Sequence, residues 1–128
     1  VLDAAGKPVV AAITDENALT GIAASGGRVT GRARVILSPQ DANSLQPGDI
    51  LVTRATDPGW TPVFALISGV VLEIGGQLSH GAIVAREYGL PAVVNVVGAT
   101  RRIVDGETNP VDGSAGTVTQ AVSLPGAN

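Results

Sequence analysis

The chain has 128 residues and a net charge of -3, which suits one compact domain with no basic excess for nucleic acid or an anionic membrane. Its 45% hydrophobic content is nearly all Val, Ile, Leu and Ala, and one Trp, one Tyr and one Phe are too few for a base-stacking platform, so nucleic-acid binding is excluded. The absence of cysteine rules out disulfides and thiolate chemistry and fits the cytoplasm, and no apolar run is long enough to span a bilayer without charge or Gly-Pro punctuation.

In chain order, residues 1–20 read as a lead-in or linker, and residues 21–128 as the domain. The start lacks the basic and apolar run of a secretory signal and lacks Met, as expected of a fragment or a processed chain. From Arg28 to Val35 polar and apolar residues alternate, with Arg28, Thr30, Arg32 and Arg34 on one face, which predicts a half-buried strand bent at Gly31. Ser38-Pro39-Gln40-Asp41 predicts a turn into one helical turn, and Ile50 to Thr53 a strand after Pro47-Gly48-Asp49. The loop Asp57-Pro58-Gly59-Trp60 feeds a short helix over Pro62 to Ile67. Gly69 to Leu72 is an apolar strand ended by Gly75-Gly76. A helix is predicted from His80 to Tyr88, with Gly89 as its stop and Pro91 barring continuation. Ala92 to Val94 is a short buried strand. Asp105-Gly106 and Asp112-Gly113 are turn pairs, and Pro110 between them places its strand at an edge or breaks it. Thr117 to Val122 is the last strand. The balance is a strand-rich α/β domain with short helices.

The only histidine, His80, stands where the Gly75-Gly76 loop meets a helix start. Such a start offers unpaired N–H groups and the positive end of the helix dipole, a ready anion site. A nucleophilic imidazole must be neutral, and the positive helix end disfavours imidazolium. Once the ring carries a phosphoryl group the same dipole favours the anion. Gly81 leaves the approach to His80 open, and Ser79 is placed to cap the helix or to give its hydroxyl to an oxyanion. Position alone does not decide the matter: a histidine at a helix start is more often a cap or a surface residue than a nucleophile.

The ordered run Gly75-Gly76-Gln77-Leu78-Ser79-His80-Gly81-Ala82-Ile83-Val84-Ala85-Arg86-Glu87-Tyr88-Gly89-Leu90-Pro91-Ala92-Val93-Val94 resembles the signature of the mobile domain of phosphoenolpyruvate-utilising enzymes. Asp49 to Thr53, Thr56 to Pro62 and the ending Asp105-Gly106, Val111-Asp112-Gly113 and Gly116-Thr117-Val118 are also family-like, so the resemblance covers about Gly21 to Gln120. It implies the swivelling β/β/α fold, with His80 as the phosphohistidine and with Ser79, Gly81, Gly76 and Thr56 supporting the phosphate. The family's usual residue two before the histidine is Thr, where this chain has Leu78, and Asn109-Pro110 departs from its usual strand residues, which is expected to disturb an edge strand. Leu78-Ser79-His80-Gly81 brings the chain nearer the rifampicin phosphotransferase branch. That branch implies ATP as donor of its β-phosphoryl group and a small-molecule hydroxyl as acceptor. ATP and Mg2+ are then expected on a partner nucleotide-binding domain, with a third domain for the acceptor. Two other readings share these residues: a phosphoenolpyruvate synthase or pyruvate phosphate dikinase enzyme, and a non-catalytic interaction module of the same fold.

Other chemistries find little support. Gly6-Lys7 is followed by Pro8, so there is no Walker A loop and no ATP site in this chain alone. One histidine without cysteine makes a structural zinc site implausible, and Gln77 rather than Gly before Leu78-Ser79 removes the hydrolase elbow. Arg32 and Arg34 read as a solvated strand face or an acidic partner's contact. Arg86 reads as structural. Trp60 is a candidate domain contact and Phe64 a core residue.

Overall fold

A computed structural model describes residues 18–119. Its strands are β1 (Ala18–Thr20), β2 (Ile22–Ser25), β3 (Arg28–Val35), β4 (Ile50–Thr53), β5 (Gly69–Leu72), β6 (Ala92–Val94), β7 (Thr108–Asp112) and β8 (Thr117–Thr119). The helices are α1 (Thr61–Phe64), α2 (His80–Tyr88) and α3 (Ala99–Arg102), with 3-10 turns at Pro39–Ser44 and Pro58–Trp60. The strand order is β1-β8-β7-β3-β4-β5-β6-β2.

β3 joins the two halves. Its first part, Arg28 to Arg32, pairs antiparallel with β7, and its last part, Ala33 to Val35, pairs parallel with β4. Gly31 sits at this handover, where a Cβ would lie 2.5 Å from the Gly48 carbonyl oxygen, so only glycine lets the two backbones pass. β4, β5 and β6 run parallel, and β2 closes the far edge antiparallel to β6.

Parallel strands covered on both faces should be apolar throughout, and all residues of β4, β5 and β6 are buried. Alternation sends Leu51, Val70, Leu72, Ala92 and Val94 to the helix side, against Trp60, Phe64, Ala82 and Ala85. It sends Ile50, Val52, Val71 and Val93 to the other side, against Leu19, Val111 and Val118 of the antiparallel layer, Ala99 of α3 and Ile103 just after it. The result is the expected β/β/α arrangement of layers.

Several local expectations need correction. Ala18–Thr20, placed in the lead-in, forms β1 on β8, with Leu19 in the core; residues 1–17 lie outside the described residues. The strand holding Asn109-Pro110 is internal, not an edge: β7 has β3 on one side and β8 on the other. Its β8 ladder nonetheless covers only Val111 and Asp112. Continuing the register sets Pro110 opposite Thr119, and Pro110 has no N–H to give. Asn109 Nδ2 donates to the Thr119 carbonyl instead, at 2.9 Å. The helix expected over Pro62 to Ile67 begins earlier, because Asp57 accepts from Gly59 N–H at 2.8 Å and starts the 3-10 turn that runs into α1, and it ends earlier too, at Phe64. The strand expected over Thr117 to Val122 is described only to Thr119.

Candidate phosphoryl-transfer site

The carboxyl ends of β4 and β5 lie side by side, and the loops that leave them build the site. Glu73 N–H and Ile74 N–H donate to the Thr53 and Arg54 carbonyls, which carries the pairing past the strand ends. Thr56 and the glycine loop are thereby adjacent. At this edge α2 begins.

α2 follows its sequence expectation to the residue. Gly89 ends it with φ 70°, and the N–H groups of Gly89 and Leu90 return to the Arg86 and Ala85 carbonyls. The first intrahelical bond runs from Ile83 N–H to the Ser79 carbonyl at 3.0 Å, so the N–H groups of His80, Gly81 and Ala82 precede the ladder.

His80 is half-buried, with Nδ1 3.0 Å from Thr56 Oγ1. The edge of its ring meets Phe64, centroids 6.3 Å apart at 82°, and Phe64 in turn lies 6.3 Å from Tyr88. Among the described residues, Nε2 has no hydrogen-bond partner. Gly81 permits this closeness: a Cβ there would stand 2.7 Å from Thr56 Oγ1 and 2.4 Å from Leu72 Cδ1.

The other anticipated residues play more local parts. Ser79 is the N-cap residue by position, yet its side chain caps nothing; Oγ donates to the Gly76 carbonyl at 2.7 Å. That bond and Ser79 N–H to the same carbonyl at 3.1 Å close the loop in a tight turn. Gly76 faces open space where a Cβ would be, so steric need lies with Gly75, at φ 131°, where a Cβ would stand 3.0 Å from Ser79 Oγ. Arg86 is structural: its guanidinium donates to the Ala24 carbonyl at 2.7 Å and to the Gln77 carbonyl, tying the loop to β2. Trp60 is buried at 3% exposure and offers no surface to a partner. Phe64 is core, as expected, but its contact with His80 escaped sequence reasoning, since nothing in the spacing joins them.

The β3 face that carries Arg28 and Arg32 is exposed, as expected, and its arginines pair with carboxylates of this chain. Arg32 grips Asp49 through two bonds, at 3.3 and 3.1 Å. Arg34 holds Asp105 at 3.0 Å and Ser44 through its carbonyl and hydroxyl. Burial pushes the Asp49 carboxyl up, but the bonds from Arg32 and Gln46 N–H outweigh it and leave the group below its ordinary value. A cavity of about 310 Å³ lies on this antiparallel layer, lined by residues of β3, β7 and β8, and holds none of the groups around His80.

A family model described as "PEP-utilising enzyme, mobile domain" matches residues 45–116, which contain Thr56 and the whole run from Gly75 to Val94. The chain belongs to this family. Rifampicin phosphotransferase of Bacillus cereus is 57% identical over 101 residues, covering 79% of this chain and 12% of the relative. The prodigiosin synthesizing transferase PigC of Serratia marcescens is 52% identical over 116 residues, covering 88% of this chain and 13% of the relative. The mobile domain therefore spans about an eighth of the length of the curated relatives it matches. A solution structure of Enzyme I superposes with a TM-score of 0.53 at 30% identity, over 61% of this chain and 32% of that one. Among the described residues no helix is long and apolar enough to cross a membrane.

Proposed function

We propose that this mobile domain is a phosphohistidine carrier of a dikinase-type phosphotransferase, and that His80 takes a phosphoryl group at one site of a larger enzyme and yields it at another. The observation that carries this reading is the imidazole itself. It sits at the start of α2, is held through Nδ1 by Thr56 Oγ1, and has Nε2 without a hydrogen-bond partner among the described residues.

The tautomer that serves has Nδ1–H donating to Thr56 Oγ1, which puts the lone pair on Nε2. That lone pair attacks phosphorus; the N–P bond forms as the P–O bond to the leaving group breaks, and the leaving oxygen keeps the electron pair. The N–H groups of His80, Gly81 and Ala82 and the helix dipole then favour the anionic phosphoryl group. In the second step an acceptor hydroxyl oxygen attacks the same phosphorus, its proton is lost, and the P–N electron pair returns to Nε2. Positioning and electrostatics do most of this work.

The donor in this reading is ATP through its β-phosphoryl group, with one water consumed and AMP and phosphate released. The acceptor is the hydroxyl of a small molecule bound on another domain, and the setting is the cytoplasm. Similarity to a rifampicin phosphotransferase and to a synthesizing transferase supports a small-molecule acceptor. Magnesium is assigned in this reading to the nucleotide's site on the partner domain.

The test uses the chain with its native nucleotide-binding domain, magnesium and β-labelled ATP. Acid-labile, base-stable label is expected on this domain and is expected to vanish in His80→Ala. Label that persists in His80→Ala would overturn His80 as the carrier, and none on the folded wild type would overturn the reading in favour of an interaction module.

A further inference from the structure

Leu78 and Ile83 occupy the residue before the N-cap and the fourth position of α2, where apolar side chains ordinarily pack on each other across a helix start. Here that packing is left open. Leu78 is 85% exposed, the most of any exposed large hydrophobic residue described, and Ile83 is 40% exposed. His80 lies between them in the chain, and Ile74, half-exposed, stands at the other end of the glycine loop. Leu78 thus protrudes further into solvent than the half-buried imidazole two residues away.

Resting on the carrier reading, we propose that Leu78 and Ile83 form an apolar pad that the nucleotide-binding domain covers each time His80 is phosphorylated. For Nε2 to bond to phosphorus, the donor's domain must close over the loop tip, and it meets Leu78 first. Charge favours the nucleotide-bearing domain as the occupant. The positive start of α2 carries His80, so the approach to Nε2 complements a site filled with phosphates. A pad of two side chains is also small enough to release, as a carrier that visits two sites requires.

The experiment is single-turnover labelling of the full-length enzyme by β-labelled ATP, with direct labelling by phosphoramidate in parallel, since that small donor phosphorylates an accessible imidazole with no domain closure. Leu78→Ser is expected to slow labelling by ATP at least about tenfold and to leave labelling by phosphoramidate at the wild-type rate. Val104→Ser, which trims another exposed apolar residue on the loop between α3 and β7, is expected to leave both rates unchanged. An unchanged ATP rate in Leu78→Ser overturns the pad. A parallel fall with both donors also overturns it, because the imidazole itself would then be disturbed. Absence of ATP label in the wild type, or its survival in His80→Ala, is a different result and defeats the carrier reading itself.

Discussion

The three arginines of β3 all find carboxylates inside the chain: Arg28 on Asp112 at 3.1 Å, Arg32 on Asp49 at 3.1 Å and Arg34 on Asp105 at 3.0 Å. Around His80 the polar contacts are neutral acceptors and donors instead. Thr56 offers a hydroxyl, Ser79 bonds a carbonyl, and Arg86 spends its charge on two carbonyls. The difference has a physical reason. A carboxylate beside the imidazole would repel an incoming phosphoryl anion and favour the imidazolium, which has no lone pair on Nε2. In the antiparallel layer the same charges only fix strands to turns. One region uses charge to fix strands to turns, and the other holds its imidazole through a neutral hydroxyl.

The contrast is broken most severely at Gly81. In Gly81→Ala the new methyl meets Leu72, which is 1% exposed and has nowhere to go, and Thr56 Oγ1, which must then move. Overpacking of this kind costs about 1–3 kcal/mol. Displacing the imidazole's partner by roughly an ångström is expected to slow His80 labelling about a hundredfold. Labelling kinetics beside urea denaturation separate the two effects, and a fully active variant would show that the Thr56 contact is dispensable.

In the other region the largest effect belongs to Asp49, whose side chain is 6% exposed. Asp49→Asn is expected to lose about 1–3 kcal/mol of stability, short of a fully buried pair because the Arg32 side chain is 43% exposed and can rehydrate. The labelling rate per folded molecule should not change. The pH dependence has a definite sign. The folded carboxyl lies below its ordinary value, so near pH 4 the unfolded chain binds the proton more readily. The contribution is complete above about pH 3.9 and is lost as pH falls through the lower folded value. The stability gap between wild type and Asp49→Asn is therefore expected to hold from pH 7 to about 5 and to shrink below about 4. A gap that widened in acid would contradict the pairing.

What could be read from the sequence follows the range of the forces. The helix from His80 to Tyr88 is local: a glycine stop and a following proline define it, and both limits hold. The alternating β3 and the apolar β4, β5 and β6 were legible for the same reason. β2 was not, because Ile22–Ser25 becomes a strand only by pairing with Ala92–Val94, far along the chain. α3 is four residues long, enters through Asn95 at φ 58° and Gly98 at φ 74°, and is tied to β5 by Glu73, which accepts from Thr100 N–H and Oγ1. No period marks so short a piece. At the site, His80 was legible as the lone histidine at a helix start. The real bond of Ser79 was not, because Ser at an N-cap ordinarily bonds forward into the helix; the turn at Gly75-Gly76 draws the hydroxyl back to the Gly76 carbonyl instead.

Thr56 tests the comparison at its finest. Thr56→Val keeps the shape of the side chain and deletes only the hydroxyl on Nδ1. The helix start and its N–H groups remain, so the loss is confined to the ring's orientation and tautomer. An approximately tenfold slower labelling of His80 is expected, with a melting temperature close to wild type and with Thr56→Ser restoring most of the rate. Thr56→Asp is the informative opposite. It would carry the other region's solution into this one, placing a carboxylate at the imidazole, and should label more slowly than Thr56→Val. If instead Thr56→Asp labels faster, a charged partner serves the ring better than a neutral one, and the Thr56 hydroxyl on Nδ1 needs another explanation.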